Sequence, residues 1–381
     1  MLKQFFSQLD RFRVDHPGLT ASSRVNSVDV LRGFDLFWII GAEAVLKSLN
    51  RIFDSPTTNF ISTQLNHVEW TGFRFYDLIM PLFLFIVGVS LPFSFRKRLE
   101  KSPSKAALWP HIIKRVLLLW VLGIAVQGNL FDYDWSKIKF YSNTLQAIAS
   151  GYLISAILVL YLKVSWQAIG TLILMLIYWA IIALVPVPGV GAGVITPEGN
   201  FAIYFDKLIL GSFQDGTIYS WIVSSLNFGA TTMLGVFAGY LLQSELKINK
   251  KVIWLVIAGI ALIILGSIWH IWLPSVKHIW TSSFVLFSGG ICLLSLALFL
   301  WLVDGLNFKK GFLFFTIIGM NAIFAYCASH LFDFGQVADV VVGGLKQYTG
   351  DWYRFIRALG GIGVLYLILW QMYKYKIFIK I

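Results

Sequence analysis

Between Asn66 and Pro81 the chain gathers His67, Glu69, Arg74 and Asp77 in one short polar stretch that runs directly into an apolar segment. An imidazole beside a carboxylate is a pairing used in general-base and nucleophilic catalysis. The carboxylate fixes the ring's tautomer while the other ring nitrogen takes a proton or attacks. His67 and Asp77 are ten residues apart, and Glu43 enters the same edge from the preceding apolar segment, so these three are the candidate catalytic residues. A histidine in a loop is, by itself, more often a solvated side chain. The neighbouring carboxylates give His67 a chemical reading. Pro81, four residues past Asp77, cannot donate the helical hydrogen bond to the Asp77 carbonyl, which predicts a kink there.

The apolar segment before that stretch is unusual, because Asp29, Arg32, Asp35 and Glu43 lie in or beside it. On a regular helix the four fall within an arc of roughly 120°, so one face is charged and must point into a bundle or a wet cavity. An ion pair between Asp29 and Arg32 at the membrane interface is the plainer explanation for those two. The basic run from Arg96 to Lys105 is accounted for by membrane topology, whereas Lys114 and Arg115, at the start of another apolar segment, are better phosphate candidates. Trp70 suits an aromatic belt or a stacking platform for a sugar face. No glycine-rich phosphate loop, zinc-ligand spacing or nucleophile elbow is present.

The elements that must position these groups follow from composition. The chain has 381 residues, 57% of them hydrophobic and 13% charged, with a mean hydropathy of +0.74. That combination describes an integral membrane protein. Its net charge of +12 is spread in short clusters between apolar runs, which argues for topology signals and against a nucleic-acid partner. Cys292 and Cys327 both fall in apolar segments, so neither a disulfide framework nor a thiolate metal site is supported. Runs long enough to span lie at 28–49, 73–95, 111–127, 143–162, 166–185, 221–243, 252–273, 281–303, 312–332 and 353–374, at about 20 residues per crossing.

The expected fold is therefore an all-α polytopic bundle of about ten transmembrane helices. Alternate connections are the basic ones, which places both termini in the cytoplasm and the His67 loop, with His270, His278 and His330, on the outer side. Residues 1–26 read as a cytoplasmic amphipathic segment, too polar for a secretory signal, and 27–381 as one transmembrane domain. The outer connection from Pro186 to Ser220 is long and rich in proline and glycine, with a more helical Phe201 to Leu210. It reads as a lid or binding element.

Several stretches, taken in order, resemble the heparan-α-glucosaminide N-acetyltransferases and their bacterial relatives. Ser27-Val28-Asp29-Val30-Leu31-Arg32-Gly33 is similar to the family's opening motif. His67, Trp70, Gly72, Asp77 and Pro81 match the segment that holds its catalytic histidine. Lys114-Arg115-Val116-Leu117-Leu118-Leu119 with Gly123, Asn143 to Tyr152, Pro197-Glu198-Gly199-Asn200 with Tyr204 and Asp206, Lys277 to Phe287, and Gly319-Met320-Asn321-Ala322-Ile323 continue the similarity. Two positions depart from the pattern. Glu43 stands where the family has an asparagine, and Ala147 where it has an arginine.

The resemblance implies transfer of an acetyl group from cytosolic acetyl-CoA to the amino group of a terminal glucosamine on the far side, with His67 catalytic and no metal. Asp29, Arg32, Lys114 and Arg115 are then the candidates for the acetyl-CoA site, and Trp70, Asn200, Asn321 and His330 those for the glycan acceptor. A bacterial inner membrane is the expected location, membrane lipid is a partner, and a homodimer stays open. The alternatives are a transporter of an amino sugar or small anion, which uses the same buried charges, and an acyltransferase acting on a sugar hydroxyl.

Overall fold

The computed structural model describes residues 25–128, 130 and 132–379. The surface helix expected over the N-terminal 24 residues lies outside the described residues. The chain is an all-α polytopic membrane protein. Its helices are α1 Asn26–Phe37, α2 Glu43–Phe53, α3 Pro56–Gln64, α4 Ile79–Leu99, α5 Trp109–Val126, α6 Thr144–Tyr161, α7 Val164–Leu184, α8 Phe201–Leu210, α9 Ser225–Gln243, α10 Ile248–Trp269, α11 Ser282–Phe299, α12 Leu313–Met320, α13 Ala322–Leu331, α14 Phe334–Val342 and α15 Trp352–Lys374. Among the described residues, pairing of extended chain is limited to two isolated bridges, Thr71 with Val276 and Val187 with Gly191.

Eight helical stretches among the described residues are long and apolar enough to cross a membrane, and the bent pair Lys310–Met320 and Ala322–Leu331, which turns by 65°, makes nine if it counts as one span. The difference from ten lies in the first predicted span. After α1 the chain makes one wide helical turn, Trp38–Ala42, in which Gly41 has φ 138°, and then restarts as α2. A left-handed residue breaks the run of α-helical hydrogen bonds, and wide turns of this kind recur at functional sites. The 100° step per residue therefore does not carry from Asp35 to Glu43, and the single charged face expected for this segment is interrupted. The kink expected at Pro81 is also corrected. A tight turn, Phe75–Leu78, precedes α4, so Pro81 falls in the first turn of that helix, where a missing N–H costs nothing.

The described chain divides into two compact units. One comprises 70–72 and 80–301, the other 25–69, 73–79 and 302–379. In the first, α10 packs on α11, α6 on α5 and α9, and α7 on α9. Helices α4 and α9 run parallel in backbone contact, since a Cβ at Gly88 would lie 1.9 Å from the Thr232 carbonyl oxygen and one at Gly235 2.0 Å from that of Phe85.

In the second unit, α1 packs on α12, α2 on α3 and α15, and α14 on α15. The bend between α12 and α13 is held by Asn321, which donates to the Ile377 carbonyl (3.0 Å) and accepts from the Ile379 N–H (2.9 Å).

Candidate functional site

The turn Phe75–Leu78 is built around Asp77. Its Oδ2 accepts the backbone N–H of Arg74 (3.0 Å), closing the turn, and that of Val68 (3.3 Å), tying down the preceding loop. The Phe75 N–H donates to Gln64 Oε1 at the end of α3 (3.1 Å), and Arg74 Nη1 donates to the His67 carbonyl (2.9 Å). These bonds fix where His67 can stand. Its Nδ1 lies 2.8 Å from Asp77 Oδ1.

Asp77 is fully buried and the His67 side chain is 40% exposed. An ionised carboxylate can only accept, so the short contact sets Nδ1 as the N–H donor and puts the ring's acceptor lone pair on Nε2. A buried carboxylate that accepts three hydrogen bonds from this loop is an orienting group for an imidazole that stays accessible.

Tyr76 adds a third member. Its ring sits 5.0 Å from the His67 ring, and Glu43, which is paired with Lys47 one turn along α2, acts electrostatically on its hydroxyl. The same turn bounds a further polar pair. Trp38 packs edge-on against Phe75 at 4.8 Å, yet its indole Nε1 and both carboxylate oxygens of the fully buried Asp35 have no hydrogen-bond partner among the described residues.

The structure brings His67 and Asp77 into contact within the second unit and sets Glu43 within electrostatic reach of the neighbouring Tyr76. Asp29 and Arg32 form an ion pair of 3.3 Å on α1. His330 stacks on Tyr326 at 4.2 Å with Nδ1 2.8 Å from that residue's carbonyl, and Tyr326 is near enough to act electrostatically on Tyr76. Asn321 spends both ends of its amide on the C-terminal segment.

Trp70, Asn200, Lys114 and Arg115 belong to the first unit. Trp70 donates to the Ile195 carbonyl (2.8 Å) and lies flat on His278 at 5.3 Å, so one indole face is already covered. Asn200 caps α8, accepting from the Ile203 N–H (2.9 Å) and donating to the Thr196 carbonyl (2.7 Å). Lys114 is exposed, and the Arg115 guanidinium sits 4.4 Å over the Tyr152 ring. Nearby on α8, Asp206 accepts the N–H groups of Trp221 (2.5 Å) and Ile222 (3.1 Å). Burial outweighs those bonds and pushes its carboxyl up to about 7.

Tyr76, Gln64 and Lys47 were not singled out from the sequence. Tyr76 is adjacent to Asp77, but a tyrosine among Phe73, Phe75 and Trp70 reads as one more interfacial aromatic.

Comparison with known proteins bears on this geometry. The family model described as heparan-alpha-glucosaminide N-acetyltransferase, catalytic, matches residues 24–251, a range that contains His67, Asp77, Tyr76 and Glu43. The chain is similar to heparan-alpha-glucosaminide N-acetyltransferase of Mus musculus, at 25% identity over 260 residues, 53% of this chain and 39% of that protein. It is also similar to the Homo sapiens protein of the same name, at 28% identity over 181 residues, 38% of this chain and 27% of that protein. The chain thus spans well under half the length of these curated relatives.

Proposed function

The chain belongs to the heparan-alpha-glucosaminide N-acetyltransferase family, and on that premise we propose that it moves an acetyl group from cytosolic acetyl-CoA to the amino group of a terminal glucosamine-type sugar beyond the membrane. The observation that carries the reading is the 2.8 Å contact between His67 and the buried Asp77. Both termini are cytoplasmic in this account, the membrane is a bacterial inner membrane, and the His67 loop faces outward.

The sugar amine arrives as an ammonium and must lose a proton before it can attack a thioester. His67 Nε2 takes that proton, and Asp77, held by two backbone N–H groups, stabilises the imidazolium that results. The amine nitrogen then bonds to the acetyl carbon, the carbon–sulfur bond breaks, and coenzyme A leaves as a thiol after protonation, so one proton is released overall. Glu43, which acts electrostatically on the Tyr76 hydroxyl beside the His67 ring, is the group this reading assigns to pass the proton on. An acetyl-imidazole intermediate at Nε2 uses the same tautomer and the same orienting carboxylate. Lys114 and Arg115 are the groups this reading assigns to coenzyme A phosphates, and Asp29 and Arg32 are its further candidates for the donor.

The test is coenzyme A thiol release by the purified protein from acetyl-CoA and glucosamine. The wild type releases thiol in proportion to glucosamine, and His67→Ala, with its melting temperature unchanged, falls by at least about 100-fold, the lower range for a positioned base. Equal rates from the two proteins would remove His67 from the chemistry.

A further inference from the structure

We propose that helices α4 and α9 hold a phosphate-binding site built on Arg96 and Gln243. Arg96 is 2% exposed, yet its Nε and Nη2 have no hydrogen-bond partner among the described residues. Gln243, the last residue of α9, is 8% exposed, and neither its Oε1 nor its Nε2 has a hydrogen-bond partner among the described residues. The two side chains share a level. A Cβ at Gly239 would touch Pro92, and Arg96 and Gln243 each stand one turn further along these parallel helices.

A guanidinium stays charged across the pH range proteins meet, so burial cannot neutralise it. An unpaired charge at such a place is costly unless a counter-ion arrives. The Tyr240 hydroxyl and Glu100 act on Arg96 electrostatically, but neither bonds Nε or Nη2, and Tyr240 gives its proton to Gln167 Oε1 at 3.0 Å. Membrane topology explains basic residues that reach water or headgroups, and the Arg96 Nε and Nη2 reach neither.

More positive charge stands nearby. Arg98 acts electrostatically on Arg115, Arg115 lies over Tyr152, and the Tyr152 ring is 6.3 Å from that of Phe95. Arg98 and Arg115 thus add positive charge on the Tyr152 side of the last turns of α4. A planar guanidinium with two donors in hand, beside an amide at the same level of the neighbouring helix, matches a phosphate ester. The site rests on this geometry, and only its source rests on the proposed function, which supplies the phosphates of coenzyme A. The other source of the same chemistry is a lipid headgroup.

The experiment measures melting and binding of the full-length protein in detergent with coenzyme A, inorganic pyrophosphate and phosphatidic acid, for the wild type, Arg96→Gln and Gln243→Leu. Without ligand, Arg96→Gln melts at or above the wild type, because the uncompensated charge is gone. With ligand it loses the stabilisation, and its Kd for the phosphate probe rises about 10- to 100-fold. Gln243→Leu, which leaves the charge in place, weakens binding by several-fold and serves if Arg96→Gln does not fold. A shift with coenzyme A names the donor as the source, and a shift with phosphatidic acid alone names the headgroup.

Equal stabilisation of wild type and both variants by every probe overturns the site, as does the absence of any shift in the wild type. If binding is unchanged in the variants while thiol release is intact, the site falls and the acetyltransferase reading stands. If pyrophosphate or phosphatidic acid binding depends on Arg96 in a protein that releases no thiol, the reverse holds.

Discussion

Asp77→Asn separates an orienting carboxylate from one that merely packs. Asp77 Oδ2 takes two backbone N–H groups, from Arg74 and Val68, while Oδ1 faces His67 Nδ1. Asparagine has one oxygen to place. Turned with its NH₂ toward the two backbone donors, it would strand both, at about 1–3 kcal/mol each. That total of roughly 2–6 kcal/mol exceeds the small preference between imidazole tautomers, so the amide oxygen settles at the Oδ2 position and its NH₂ faces Nδ1.

His67 must then accept at Nδ1 and carry its proton on Nε2. The nitrogen that should take the ammonium proton has no lone pair left, so the turn keeps its shape and the chemistry stops. The expected fall in turnover is about 10²- to 10⁴-fold, equivalent to roughly 3–5 kcal/mol of barrier. The upper end equals the effect of the same change in a Ser-His-Asp triad. Thiol release from acetyl-CoA and glucosamine gives the rate, and a melting curve confirms the fold. Raising the pH does not restore activity, because the defect is the wrong tautomer and not excess protonation. Asp77→Asn within about threefold of wild type would refute the orienting role.

Three further outcomes follow from the same geometry. Tyr76→Phe keeps the ring against His67 but removes the hydroxyl on which Glu43 acts electrostatically, so turnover should drop by about tenfold with little change in melting temperature, and an unchanged turnover would exclude a relay through Glu43. Gly41→Ala puts a side chain at φ 138° and a Cβ 2.8 Å from Ile362 Cγ1, which should cost about 1–3 kcal/mol and lower the melting temperature, whereas an unaltered melt would mean the wide turn relaxes freely.

The third concerns Asp206. Its carboxyl titrates at about 7 in the folded protein against 3.8 ordinarily, so the folded state holds the proton more tightly than the unfolded chain. The stability this gives is complete below about pH 4 and is lost as pH rises through about 7, a change on the order of 4 kcal/mol. Asp206→Asn should flatten the decline of melting temperature between about pH 5 and 7, and parallel slopes would contradict the assignment.

Most of the helices were legible because a membrane crossing needs a long apolar run, and nearly every such run became a helix within a few residues of its expected bounds. The break at Trp38–Ala42 was not, because Gly41 sits between Ile40 and Ala42 in an apolar run, where a single glycine does not by itself mark a left-handed turn. The two halves around Asn321 were hidden as well, since the amide that stabilises the bend pairs with residues 56 and 58 positions away.

At the site, the ten-residue spacing brought His67 and Asp77 to notice. The reason they meet lies in backbone hydrogen bonds that composition does not carry. The Arg96 run looked like a topology signal, and only its burial and its empty hydrogen-bonding positions set it apart.

The central claim is that a donor on one side of the membrane and an amine on the other exchange an acetyl group through this protein. Proteoliposomes that trap glucosamine inside and receive labelled acetyl-CoA outside test it directly. The account expects labelled N-acetylglucosamine in the lumen, formed by the correctly oriented fraction and absent with His67→Ala. Label that enters no sugar, or movement of unmodified glucosamine across the bilayer, would contradict it and make the protein a carrier.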